Sequence, residues 1–224
     1  MVDPVIDPSY LDLTSWSRRA AFEHFRGFEQ PFFGVCTRLD VAPLKAAAAA
    51  TGIGSLALAY HFVALRLANL HGPFRYRLED PGQRVRVHTV VHGSTTVLRA
   101  DDSFGFAHLH HTVSWADFCA QAAPALRAAA QPQAPFDGEP AATDLVYFTT
   151  LPWVHFSSFE HAQRMGDKAD SVPRIAFGRL LADGPQLWLP LAVHVHHALM
   201  DGLHAGRFVQ DFEAAVADPA AMLG

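Results

Sequence analysis

The stretch from Arg174 to His197, RIAFGRLLADGPQLWLPLAVHVHH, most constrains the fold. Its second half is apolar at nearly every position, so a strand built from it has to be buried in a sheet that other elements cover. The ADG at 182–184 supplies a turn, and the segment is expected to be a hairpin. Covering helices are legible elsewhere. SLALAYHFVALRLANL (55–70) reads as a strongly apolar helix packed on the sheet. VAPLKAAAAATG reads as a helix with Pro43 in its first turn and its end near Gly52. SWADFCAQAAPALRAAAQ (114–131) is helical with Ser114 as its cap, and GLHAGRFVQDFEAAVADP (202–219) is the closing helix. LTSWSRRAAFEHFRGF (13–28) is expected to be a helix capped by Ser15. FFGVCTRLDV (32–41), FRYRLED, VRVHTVVHGSTTVLRA, GFAHLHHTV and DLVYFTTLPWVHFSSF (144–159) read as strands, the last interrupted by proline, and PQAPFDGEPAA as a loop. Helices and strands interleave, but hairpins are too frequent for an all-parallel sheet. The expected class is α/β or α+β with one large mixed β-sheet, and no repeat or linker divides residues 1–224 into more than a single domain.

Composition excludes several functions. With 50% hydrophobic and 17% charged residues the chain has the balance of a globular protein. Its formal charge of −5 and lack of a basic stripe argue against nucleic acid as a partner. Its apolar stretches fall short of the ~20 residues of a membrane helix, and MVDPVIDPSY does not read as a signal peptide. Cys36 and Cys119 have neither CxxC spacing nor a disulfide framework, so a cytoplasmic setting is expected.

The apolar run ends in His194, His196 and His197, and three readings compete there: a metal site, satisfied core histidines, or one catalytic base. Strand alternation places His194 and His196 on one face and His197 on the other. Tetrahedral zinc wants three or four converging ligands, and neither an HExxH nor a carboxylate-rich segment provides them. HLHH (108–111) is a second histidine group, but nothing in the sequence joins it to the first, so no metal is expected. Asp201 follows His197 at four residues and precedes Gly202. That spacing suggests a strand ending in a tight turn with a carboxylate folded back, either onto the imidazole or onto an arginine that braces the turn.

HHALMDGLH contains HHxxxDG, a signature of CoA-dependent acyltransferases that condensation domains and the cores of 2-oxo acid dehydrogenases share. Together with WSRRAAFEHF (16–25), LPWVHFSSF (151–159) and PLAVHVHHALMDGLHAGR (190–207), it makes the chain resemble the chloramphenicol acetyltransferase family over nearly its whole length. Neither the greater length of a condensation domain nor a lipoyl segment accompanies the motif. The resemblance implies a two-layer α/β sandwich that moves acetyl from acetyl-CoA to a hydroxyl. It also implies a homotrimer with active sites between subunits, and chloramphenicol or another small hydroxyl compound as acceptor. A contrasting reading is a binding protein that keeps the fold without the activity.

The resemblance also carries residue roles. His197 matches the base that takes the acceptor's proton, a task for which a pKa of ~6.5 suits histidine, and His196 is read as its structural neighbour. Asp201 matches a structural aspartate paired with an arginine, here Arg18. Thr149 stands where a serine donates to the developing oxyanion. A supporting threonine is replaced by Ala176. Trp153 matches a tryptophan lining the CoA channel. For the acceptor pocket, the aromatic pair of the first helix becomes His24 and Phe25. Phe32 stands where a cysteine is common, and Phe104 and Phe136 keep aromatic positions. His161 and Gln163 replace aliphatic residues, which makes the wall more polar.

Overall fold

The computed structural model describes residues 5–7, 10–80, 82–132, 142–163 and 170–224. In chain order the elements begin with β1 (Val5–Asp7), β2 (Tyr10–Leu11), α1 (Arg19–Phe25), β3 (Phe32–Asp40), α2 (Ala42–Thr51) and α3 (Leu56–Leu70). A 3-10 turn at Gly72–Arg75 leads to β4 (Tyr76–Glu79), β5 (Arg84–Val87), β6 (His92–Leu98), β7 (Phe104–Leu109) and α4 (Trp115–Ala129). Then follow β8 (Leu145–Leu151), β9 (Arg174–Gly178), β10 (Leu181–Asp183), β11 (Gln186–His196), α5 (Gly202–Ala217) and α6 (Ala220–Leu223). No single helix among the described residues is long and apolar enough to cross a membrane.

Local chemistry explains the helix boundaries. Ser55 and Ser114 cap α3 and α4, each hydroxyl accepting from the backbone N–H three residues on. α2 ends at Gly52, whose φ of 69° is the left-handed conformation that glycine adopts without strain. The expected Ser15 cap is not formed. Asp12 captures that segment instead, accepting from the Ser15 hydroxyl at 2.5 Å and from the Thr14 hydroxyl at 2.6 Å. Helix α1 therefore starts only at Arg19, and Arg18 lies just outside it with its side chain free to reach elsewhere.

The expected mixed sheet is present. It has seven strands, in the order β10-β11-β9-β8-β6-β7, with β3 on the other side of β11. β6, β8 and β9 run parallel, whereas β7 and β3 close the sheet with antiparallel pairings. The hairpin over 174–197 turns at Asp183–Gln186 as expected. Its first arm is broken into β9 and β10 because the Arg179 N–H leaves the ladder and donates to the Val154 carbonyl of a crossing loop. A second sheet, β1-β2-β5-β4, was not foreseen. Arg77, 1% exposed, ties it to β8 by donating to the carbonyls of Phe74, Tyr76, Thr143 and Leu145.

Alternation gives the large sheet two unlike faces. Phe148, Ile175, Phe177, Val193 and Val195 point to the helices and are almost fully buried. Tyr60 and His61 of α3 and Phe212 of α5 pack on Phe177 with centroids 4.4, 5.2 and 6.4 Å away. Burying one such aromatic side chain contributes about 1.5–3 kcal/mol, so this face is the main core. The opposite face carries Thr149, Arg174, Ala176, His194 and His196, and among the described residues no helix packs on it.

Candidate active site

β11 delivers His194 and His196 to the helix-free face, and the turn after it swings His197 the other way, as alternation predicts. The turn is held from both sides. The carbonyl of His196 accepts from the N–H groups of Leu199 and Met200, and the His197 N–H donates to Pro31 at 2.8 Å. His196, 2% exposed, accepts from the Ala198 N–H at its Nδ1, 3.2 Å away. Burial pushes its pKa down to about 4, so it stays neutral and serves the turn.

Arg18 braces the same turn from 183 residues away. Its Nε and Nη2 donate to the two Asp201 carboxylate oxygens at 2.7 and 2.5 Å. Its Nη1 and Nη2 donate to the carbonyls of Ala198 and His197 at 2.9 and 3.0 Å. The guanidinium holds the Asp201 carboxyl below the usual carboxylate range. Asp201 is also the N-cap residue of α5, where the helix dipole favours negative charge. With both oxygens engaged by Arg18, the carboxylate stands 3.5 Å from His197 Nδ1, too far for a good hydrogen bond. Of the two roles open to Asp201, the structure shows the arginine brace.

Packing orients the His197 ring. Phe25 stacks on it at 3.7 Å and 10°, and Phe33 leans against it at 4.7 Å and 48°. Nδ1 is closed to water without a partner, while the side chain as a whole is 32% exposed. Nε2 is therefore the accessible nitrogen, and among the described residues nothing bonds it. His24 is exposed and edge-on to Phe25 at 4.8 Å.

The other expected site residues lie on the helix-free face of the sheet. Thr149 lines a cavity of about 340 Å³ together with Thr96, Phe104, Tyr147, His161 and Gln163. Ala176 is its direct partner across the β8–β9 ladder and adds no hydroxyl there. A cavity of about 490 Å³ shares His161 and Gln163 with the first and adds Phe32, Gly34 and His194. His197 lines neither. The structure thus joins Arg18, Phe25, His197 and Asp201 in one group, and Thr149, Phe104 and His161 in another.

Trp153 sits in the turn after β8, 59% exposed, beside the equally open Val154. The Val154 carbonyl accepts from the Arg179 N–H at 2.8 Å, which brings exposed Leu180 and Leu181 to the same edge. Read without the resemblance, Trp153 would be a core residue; the structure places it on the surface. Phe136 lies outside the described residues. Sequence reasoning missed Phe33 and His204. Alternation along β3 carried a signal for Phe33, which pairs with Val195 while its neighbour Phe32 pairs with His196. His204 Nδ1 accepts from the Asp201 N–H at 2.9 Å, and its signal was its place three residues after the helix cap.

The sequence model of the chloramphenicol acetyltransferase family matches residues 7–213. A chloramphenicol acetyltransferase of Streptomyces acrimycini is 29% identical over 218 residues, 97% of this chain and 98% of its own. Chloramphenicol acetyltransferase 2 of Escherichia coli is 28% identical over 209 residues, 91% of this chain and 94% of its own. A solved chloramphenicol acetyltransferase has a TM-score of 0.80 at 23% identity, over 96% of this chain and 100% of that one. The dihydrolipoamide acetyltransferase of Azotobacter vinelandii scores 0.65 at 18% identity, over 86% and 84%. These structural likenesses identify the fold as that of CoA-dependent acyltransferases, and the family match goes further. The chain belongs to the chloramphenicol acetyltransferase family and is an acyltransferase.

Proposed function

We propose that this acyltransferase moves the acetyl group of acetyl-CoA to a hydroxyl of chloramphenicol or a related small molecule, with His197 as general base. The observation that carries this reading is the unbonded, accessible Nε2 of an imidazole whose ring and backbone are both fixed, by Phe25 and by Arg18. A hydroxyl is a weak nucleophile at neutral pH, and a neutral imidazole held in place can take its proton as it attacks. The acceptor oxygen then bonds the thioester carbonyl carbon, the C–S bond breaks, and the proton passes from His197 to the leaving sulfur. The products are an acetyl ester and the free CoA thiol, with His197 neutral again.

Negative charge builds on the thioester oxygen during the attack and needs a donor. Thr149 is assigned that role, because it lines a cavity on this face of the sheet and carries a hydroxyl where Ala176, its partner across the ladder, has none. His197 and Thr149 lie in separate groups of one chain, which supports a site completed between copies: the base of one subunit facing the Phe32, Phe104 and His161 pocket of its neighbour in a homotrimer. Phe25 and His24 would border the base. The exposed apolar edge of Trp153, Val154, Leu180 and Leu181 fits the pantetheine arm and base of the co-substrate. The assignment takes residues 1–224 as one acetyltransferase domain, working in the cytoplasm without metal, where acetylating chloramphenicol would confer resistance to it.

The test is release of free thiol from acetyl-CoA in the presence of hydroxyl compounds, chloramphenicol among them. The account expects acceptor-dependent thiol release and an acetyl ester product. Thiol release that no acceptor stimulates would overturn it.

A further inference from the structure

Helix α5 opens with a histidine in a place where glutamate or glutamine is the usual choice. The side chain three positions after a helix cap commonly reaches back and accepts from the backbone N–H of the cap residue. Here that side chain is His204, whose Nδ1 accepts from the Asp201 N–H at 2.9 Å. The backbone nitrogen is the donor, so the imidazole nitrogen that faces it carries no proton. Glutamine would accept there at any pH, whereas an imidazole loses its acceptor when it is protonated.

This bond stands at the head of a series of contacts that ends at His197. His204 holds the backbone of Asp201, and Arg18 holds its carboxylate at 2.7 and 2.5 Å. Arg18 in turn donates to the carbonyls of Ala198 and His197. One Asp201 oxygen stands 3.5 Å from His197 Nδ1, so a small rotation of Asp201 would draw the carboxylate onto that imidazole and away from the arginine. His204 opposes the rotation by fixing the backbone from which the carboxylate hangs. Protonation would reverse its action. The Asp201 N–H would then face a second N–H, and the imidazolium, 3.9 Å from the other carboxylate oxygen, would compete with Arg18 for it. The His204 side chain is 23% exposed and lines an open cavity of about 450 Å³, so protons reach it. The other charged or titratable groups lining that cavity are Arg18, His71, Asp201 and Arg207, and His71 is already matched by Asp211 at 2.8 Å.

We propose that His204 is a positioning residue for the base: unprotonated, it keeps Asp201 and Arg18 in the arrangement that fixes the His197 turn, and a proton on it loosens that arrangement. This rests on the acetyl-transfer reading and adds a second ionisation to it. His204 itself touches no reacting atom.

The experiment records kcat and the KM for acetyl-CoA by thiol release, using the alcohol that the native protein turns over fastest, with chloramphenicol tried first. At pH 7.5, His204→Leu is expected to lower kcat by about 3- to 30-fold with little change in KM, the range that corresponds to losing one cap hydrogen bond. His204→Gln restores an acceptor and is expected to recover most of that loss. The decisive readout is the ratio of kcat in His204→Gln to kcat in the native protein, followed from about pH 7.5 down to about pH 5.5, where histidines ordinarily titrate. Protonation of His197 is common to both proteins and cancels in the ratio. The ratio is expected to rise by about 3-fold or more as pH falls, because acid disables the native brace and leaves the glutamine intact. A histidine that only stabilised the helix would leave it flat. A flat ratio, or a folded His204→Leu protein with native kcat, overturns this inference and leaves acetyl transfer standing; if the leucine variant does not fold, the ratio decides alone. If no alcohol of any kind stimulates thiol release, the acetyl-transfer reading fails and this inference with it.

Discussion

Arg18→Ala deletes four hydrogen bonds at once, two to a carboxylate and two to carbonyls of the turn that carries His197. Arg18 is 11% exposed and Asp201 39%, so the pair is half-sheltered. Removing one partner of a fully buried pair costs about 3–5 kcal/mol. Solvent reaching Asp201 reduces this, and a loss of about 2–4 kcal/mol is expected. Asp201→Asn should cost a similar amount, since it strands the guanidinium against two carbonyls. Because both changes break one contact, the double variant should be less destabilised than the sum by about 1–3 kcal/mol. Urea denaturation at pH 7.5 of the four proteins in the cycle measures this, with kcat recorded beside it. The pH dependence has a definite sign. Arg18 depresses the Asp201 pKa in the folded state, so the stability the pair contributes is present above the unfolded value of ~3.9 and is lost as pH falls through the folded value. Asp201→Asn should therefore flatten the acid limb below about pH 4. Additivity within about 0.5 kcal/mol would refute the reasoning, because it would mean the two side chains do not act on each other.

Thr149→Ala is expected to lower kcat by about 10- to 10³-fold and Thr149→Ser to retain it; an alanine variant with unchanged kcat would remove Thr149 from oxyanion stabilisation. His61 is buried in the core with its pKa pushed down to about 4, so the unfolded chain takes up its proton first as pH falls from 6.5 to 4. His61→Leu should cut the loss of stability over that window by about 3 kcal/mol, read from denaturation midpoints across pH, and parallel curves would contradict this. Unfolding and refolding His197→Ala and Thr149→Ala chains together should restore activity that neither has alone, since some neighbours would then pair an intact base with an intact threonine. No recovery would place the whole site within one chain.

Legibility followed the range of the forces involved. Pro43, Gly52, Ser55 and Ser114 mark helix ends through contacts within one turn, and the structure places those ends within a residue or two of the sequence reading. Ser15 misled because Asp12 competes for the same hydroxyl, a local contest that cap preference alone does not decide. The second sheet was invisible because β2 pairs with β5 across more than seventy residues without a turn signal between them. At the site, alternation separated His197 from His194 and His196 without further help. Arg18 was different. Nothing near residue 18 announces a partner at 201, and only the resemblance singled it out before the structure joined them. The expected polar wall also divided, with His24 edge-on to Phe25 beside the base and His161 lining the cavity that holds Phe32 and His194.

The central claim is that His197 takes the proton from the acceptor hydroxyl, and the most direct measurement is kcat of His197→Ala beside its affinity for acetyl-CoA. The account predicts that kcat falls by at least ~10²-fold, the lower end of general-base effects, while acetyl-CoA binding stays near that of the unaltered protein. His196→Ala, compared in the same assay, should lower stability more than turnover. A His197→Ala protein that keeps kcat within a few-fold, or a His196→Ala protein that folds normally and loses turnover in its place, would contradict the assignment.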